Sequence, residues 1–155
     1  MMSPFKTTTV ALMLGTAFLS SPMYAETLKF KADLKAASEV PPADSSGTGS
    51  ADVTVDTTTK KLSLTVTSSG LTGDATAAHF HGPAAAGENA DPVVDISAAV
   101  ASGTADITDQ QLADLQAGKW YLNIHTQKFP DGEIRGQVEK APQPPIRCWA
   151  RRTIS

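Results

Sequence analysis

The stretch ADVTVDTTTKKLSLTVT, residues 51–67, decides the fold. Val53 and Val55, then Leu62, Leu64 and Val66, fall on every second position, with Thr or Ser between them. A period of two belongs to a strand whose side chains alternate between two faces, and it does not fit the 3.6-residue repeat of a helix. TTTK at 57–60 separates the two runs, so they read as neighbouring antiparallel strands, each with one apolar and one polar face.

The same period extends outward. TLKFKADL, residues 27–34, alternates Leu28, Phe30, Ala32 and Leu34. Turn-forming clusters fall where hairpins need them: PPADSSGTG at 41–49, GLTGD at 70–74 and PDG at 130–132. One segment breaks the pattern, TDQQLADLQAG at 108–118. Thr108 and Gln111 have capping-box spacing, Leu112 and Leu115 share a helical face, and Gly118 is placed to end the helix. The expected architecture is all-β: an antiparallel, Greek-key-like β-sandwich of seven to eight strands with one short helix. Residues 26–140 form one domain, with no linker and no repeat.

Two terminal segments fall outside that expectation. MMSPFKTTTVALMLGTAFLSSPMYA, residues 1–25, carries Lys6 as its only charge, an apolar run from Val10 to Leu19, and Ala25 at its end. A run of about ten apolar residues is well short of the roughly 20 needed to cross a bilayer. The segment therefore reads as a secretory signal peptide cleaved after Ala25, with no transmembrane anchor and no following cysteine in position to carry a lipid. Export to the periplasm or the extracellular space is the expectation. Residues 141–155 contain APQPP and then IRCWARR, and read as a disordered tail. Its Cys148 is the single cysteine, so no intrachain disulfide can form and the hydrophobic core alone must hold the domain.

From Glu26 onward the chain carries 12 basic and 16 acidic residues, a net charge of 12 minus 16, or −4. Nucleic acid as a partner is excluded on that balance, because phosphate neutralisation needs clustered Lys and Arg and the only basic cluster lies in the tail.

All three histidines lie in two short segments, AAHFHGPA at 77–84 and WYLNIHTQKFPDGEIRG at 120–136. Parity assigns their faces. If Phe80 enters the core, His79 and His81 point away from it; if Trp120, Leu122 and Ile124 enter the core, Tyr121, Asn123 and His125 point away. On the hairpin through FPDG, Ile134 and Val138 face the core, which sends Glu133, Arg135 and Gln137 to the face of His125. Arg135 then lies opposite or diagonal to His125, where its charge disfavours protonation of that ring. Imidazoles at i and i+2 on a strand sit about 6 to 7 Å apart, a spacing that can chelate one ion and that surface histidines also produce. Gly82 and Pro83 end a strand, Gly132 serves a turn, and Gly136 allows a close approach of a neighbour.

The series ASEVPPADSSGTGSADVTVD, LSLTVTSSGLTGDATAAHFHGPA and LQAGKWYLNIHTQKFPDGEIRGQV closely resembles the CHRD domain, a family named for chordin and found singly in bacterial secreted proteins. The resemblance runs from Leu28 to Glu139. It implies an extracytoplasmic β-sandwich and fixes no reaction.

Three functional readings follow. The first is binding of a transition metal ion through His79, His81 and His125, with copper preferred over zinc because the affinity order at imidazole favours Cu(II). The second is a structural or adhesion module without metal, whose partner is another exported protein. The third and smallest is a redox enzyme like the copper and zinc superoxide dismutases, which also use a His-x-His strand; this chain lacks histidines to bridge a second metal. No catalytic residue is assigned, since no nucleophile motif is present, and the chain reads as a binding protein rather than an enzyme.

Overall fold

A computed structural model describes residues 26–142. The segment read as a signal peptide and most of the one read as a disordered tail lie outside the described residues. Among the described residues nine strands and one α-helix follow in order: β1 Thr27–Lys35, β2 Thr48–Asp56, β3 Lys61–Ser69, β4 Ala75–His81, β5 Pro92–Asp95, β6 Ser102–Asp106, α1 Asp109–Gln116, β7 Tyr121–Thr126, β8 Ile134–Gln137 and β9 Glu139–Lys140. The fold is all-β and antiparallel with one short helix, as the period-two pattern requires. The count exceeds the expected seven to eight because short strands such as the two-residue β9 carry too little sequence to show a period.

The strands are hydrogen-bonded in the continuous order β5-β4-β7-β8-β1-β2-β3-β6, with β9 added beside β1. This sheet curls into a nearly closed, barrel-like sandwich around one core. The β2–β3 register sets Val55 against Leu62, Val53 against Leu64 and Ala51 against Val66, so the apolar faces of the two strands coincide. Asp56 closes that hairpin: its Oδ1 accepts from the backbone N–H of Thr58 and of Thr59 at 2.9 and 2.8 Å. Phe30, Val53, Val55, Leu62 and Leu64 on one side of the curl join Phe80, Trp120, Leu122, Ile124 and Ile134 on the other in a single buried cluster. Helix α1 closes one end with Leu112 and Leu115. Thr108 and Gln111 form the expected capping box, and Gly118 takes φ +68° beyond its last turn.

Gly136 fulfils the close approach expected of it. A Cβ there would lie 2.3 Å from the backbone oxygen of Asp33 on β1, so only glycine lets β8 and β1 meet.

The main departure from the alternation is β7. Parity assigns its odd positions to a solvated face, yet every residue from Tyr121 to Thr126 is buried. Loops cover that face. The polar residues Asn123, His125 and Arg135 are consequently buried although none of them enters the apolar core.

Candidate metal centre

Strands β4 and β7 are antiparallel neighbours, with Ala77 opposite His125, His79 opposite Asn123 and His81 opposite Tyr121. His79 and His81 share parity on β4, and the register brings His125 onto the same face one step away. The structure therefore brings together all three histidines singled out in the sequence. Ring centroids are 5.7 Å apart for His79 and His81, 5.0 Å for His79 and His125, and 6.4 Å for His81 and His125. One ligating nitrogen from each ring lies within 4.8 Å of the others. This is closer than strand spacing alone gives, because the His79 and His81 rings meet edge to face at 83°.

Backbone carbonyls set the tautomers. His125 Nδ1 lies 2.8 Å from the Pro130 oxygen, and His81 Nδ1 lies 2.9 Å from the Ala90 oxygen. A carbonyl only accepts, so each of these neutral rings carries its proton on Nδ1 and presents the Nε2 lone pair. The His125 lone pair is met by His79 Nδ1 at 3.1 Å. His81 Nε2 is buried and has no hydrogen-bond partner. Buried polar atoms are nearly always paired, and leaving one unpaired costs about 1–3 kcal/mol. The second nitrogen of His79 faces Ser97 Oγ at 3.5 Å and Asp95 Oδ1 at 3.7 Å.

Burial holds His81 and His125 below the ordinary imidazole value, partly opposed by the carbonyl bonds to Ala90 and Pro130. Arg135 acts on a different ring from the one expected. It is paired with Asn123, diagonal to His125. Its guanidinium lies 3.4 Å from the centroid of the Tyr121 ring, and Tyr121 stacks on His81 at 4.8 Å with the planes 4° apart. Its charge accordingly disfavours protonation of His81, while His125 feels His79 and Asp131.

Glu133 also departs from its expected face. It precedes β8 and turns to Ser45, Thr72 and Thr126, accepting from Ser45 Oγ at 2.6 Å and from Thr72 N and Oγ1, each at 2.8 Å. Burial works against its ionisation, but these donors outweigh it and hold the carboxyl below its usual range.

Beside the histidines sits a carboxyl of opposite character. Glu39 is buried, accepts from Asn123 Nδ2 at 2.9 and 3.0 Å, and is pushed up to about 7 by desolvation against the opposing charge of Arg135. Gly132, at φ +132°, gives them room: a Cβ there would lie 2.3 Å from Asn123 Nδ2. Parity marks Tyr121 and Asn123 as members of this face. Nothing in the local sequence marks Asp95, which ends β5 opposite His79, or Glu39, Ser97 and Ala90, which lie outside the strands.

The donor set fits a metal ion. Imidazole nitrogens bind zinc at about 2.0–2.1 Å, so two of them on one tetrahedral ion stand roughly 3.3 Å apart. His79 Nδ1 and His125 Nε2 stand 3.1 Å apart, and the ligating nitrogens of all three rings lie within 4.8 Å of one another. Three imidazoles with no thiolate suit copper or zinc and leave a fourth position open.

Fold and site together describe a curled all-β domain with a loop-covered polar face on which three imidazoles meet. The CHRD domain family matches residues 30–138, and the chain belongs to that family. No curated protein and no solved structure gives a significant match. Among the described residues no helix is long and apolar enough to cross a membrane.

Proposed function

We propose that this CHRD-domain protein is exported and binds one transition metal ion through His79, His81 and His125, copper in preference to zinc. The observation that carries the reading is the buried, unpartnered Nε2 of His81 beside two further imidazoles. An orphaned lone pair is a cost to an empty fold and an asset to a ligand site. Export rests on the signal-like composition of residues 1–25, and copper over zinc on the affinity order at nitrogen ligands. The test is a competitive copper titration of the wild type beside His81→Ala and His125→Ala, repeated with zinc. Selective loss in both variants supports the site; equal, weak binding by all three proteins removes it.

A second reading, a structural or adhesion module without metal, is favoured by one observation. The bond between His79 Nδ1 and His125 Nε2 satisfies two of the three rings with no ion present. A redox enzyme of the superoxide dismutase kind is the smallest reading, and consumption of superoxide by the copper-loaded wild type would bring it forward.

A further inference from the structure

Residues 82–91 leave β4 immediately after His81 and cross the polar face before β5 begins. Arg135 reaches this loop from β8: Nη1 donates to Asn89 Oδ1 at 2.9 Å, and Nη2 donates to the Glu88 oxygen. Asn89 Nδ2 in turn donates to the Val40 oxygen at 3.0 Å, which ties the loop to the segment carrying Glu39. The Tyr121 hydroxyl lies 3.2 Å from both the N–H and the oxygen of Ala90, accepting from the first and donating to the second. Ala90 O is also the acceptor for His81 Nδ1.

Arg135 is only 2% exposed, and among the described residues no ion pair holds it. A buried guanidinium without a bonded carboxylate is costly, so its placement calls for a return elsewhere in the fold. The planar fork meets two acceptors at fixed angles, and those acceptors immediately precede the carbonyl that fixes the His81 tautomer.

Resting on the metal-binding reading, we infer that Arg135 and Asn89 are positioning residues for the metal centre: they clamp the 82–91 loop so that Ala90 O holds the proton of His81 on Nδ1 and leaves Nε2 as the ligand. The clamp acts through the loop and touches no metal. Without it His81 exchanges between its two neutral tautomers, and the form with the proton on Nε2 cannot ligate through that atom. Outer-shell partners of metal-bound histidines are typically worth about 10- to 100-fold in metal affinity.

The discriminating readout needs no metal. Long-range ¹H–¹⁵N correlation spectra of the metal-free full chain report which nitrogen of His81 carries the proton. Wild type is expected to show the Nδ1–H tautomer alone. Asn89→Ala, at an exposed loop position that leaves the core intact, is expected to raise a measurable Nε2–H population and to weaken copper binding about 10-fold or more. Arg135→Lys is expected to do the same, since a point charge cannot span both acceptors. A purely structural role would lower the melting temperature and leave the tautomer unmoved. The inference is overturned if wild-type His81 carries its proton on Nε2, or if Asn89→Ala keeps a single Nδ1–H tautomer. A tautomer that shifts in the variants while no form of the protein binds copper upholds the clamp and removes the metal-binding reading alone.

Discussion

On β7, Leu122 and Ile124 point into the apolar core against Phe80 and Ile134, whereas Asn123 and His125 point the other way into hydrogen bonds with Glu39, His79 and Pro130. Both faces are buried. The apolar one is closed by the sheet curling on itself, so its order comes from the regular strands. The polar one is closed by three irregular segments: residues 82–91, the Glu39 segment and the 129–132 turn. Shape alone fills the first face, with no directional partner required. The second must satisfy each donor and acceptor individually, and it fails to do so at His81 Nε2 and Asn123 Oδ1. The apolar face therefore accounts for stability, and the polar face, with its unmet atoms and perturbed carboxyl, is where binding is to be sought.

The contrast can be broken most forcefully from the apolar side. Ile124→Ala should cost about 2–5 kcal/mol, read as a lower midpoint in urea with an unchanged slope. On the polar side, Glu39→Gln should act in a pH-dependent way. Burial pushes the folded carboxyl up to about 7 from an ordinary 4.5, so its protonated form suits the fold. That contribution is full below about 4.5 and is lost as pH rises through 7. Relative to Glu39→Gln, the wild type should lose up to about 3 kcal/mol between pH 4.5 and pH 8, measured by denaturation at each pH.

The two histidines nearest the β7 comparison should differ in the same assay. His125→Ala strands the Pro130 carbonyl and the His79 donor and should cost about 1–3 kcal/mol, more than a solvated side chain would. His81→Ala removes one bond, one atom that had no partner and the stack on Tyr121, and should cost about 1 kcal/mol, while copper affinity should fall in both variants. The smallest expected effect is on the pH profile of binding. Burial keeps His81 and His125 neutral to lower pH than an exposed imidazole, so the metal-competent form persists below 6.5 and copper binding should fade only under that value. Titrations at successive pH values check it.

These two faces also mark what the sequence could disclose. Alternation at Val53, Val55, Leu62 and Leu64 is local and repeated, so the core was legible, as were the helix cap at Thr108 and Gln111 and the shared face of His79, His81 and His125. Parity distinguishes the two sides of a strand but does not report what covers them, and for that reason β7 reads as half-exposed. Arg135 illustrates the same gap: its position on the polar face follows from register, but its hold on Asn89 depends on a loop 46 residues away in the chain. Glu133 shows a turn residue escaping parity, because it lies just before β8 begins and the strand's alternation does not bind it.

On the function proposed above, a metal ion held by three imidazoles completes the polar face of β4 and β7. X-ray absorption spectroscopy of the copper-loaded protein counts those ligands directly. Three imidazole nitrogens at about 2.0 Å are predicted for the wild type and two for His81→Ala. One imidazole or none in the wild type, or an unchanged count in the variant, would contradict it.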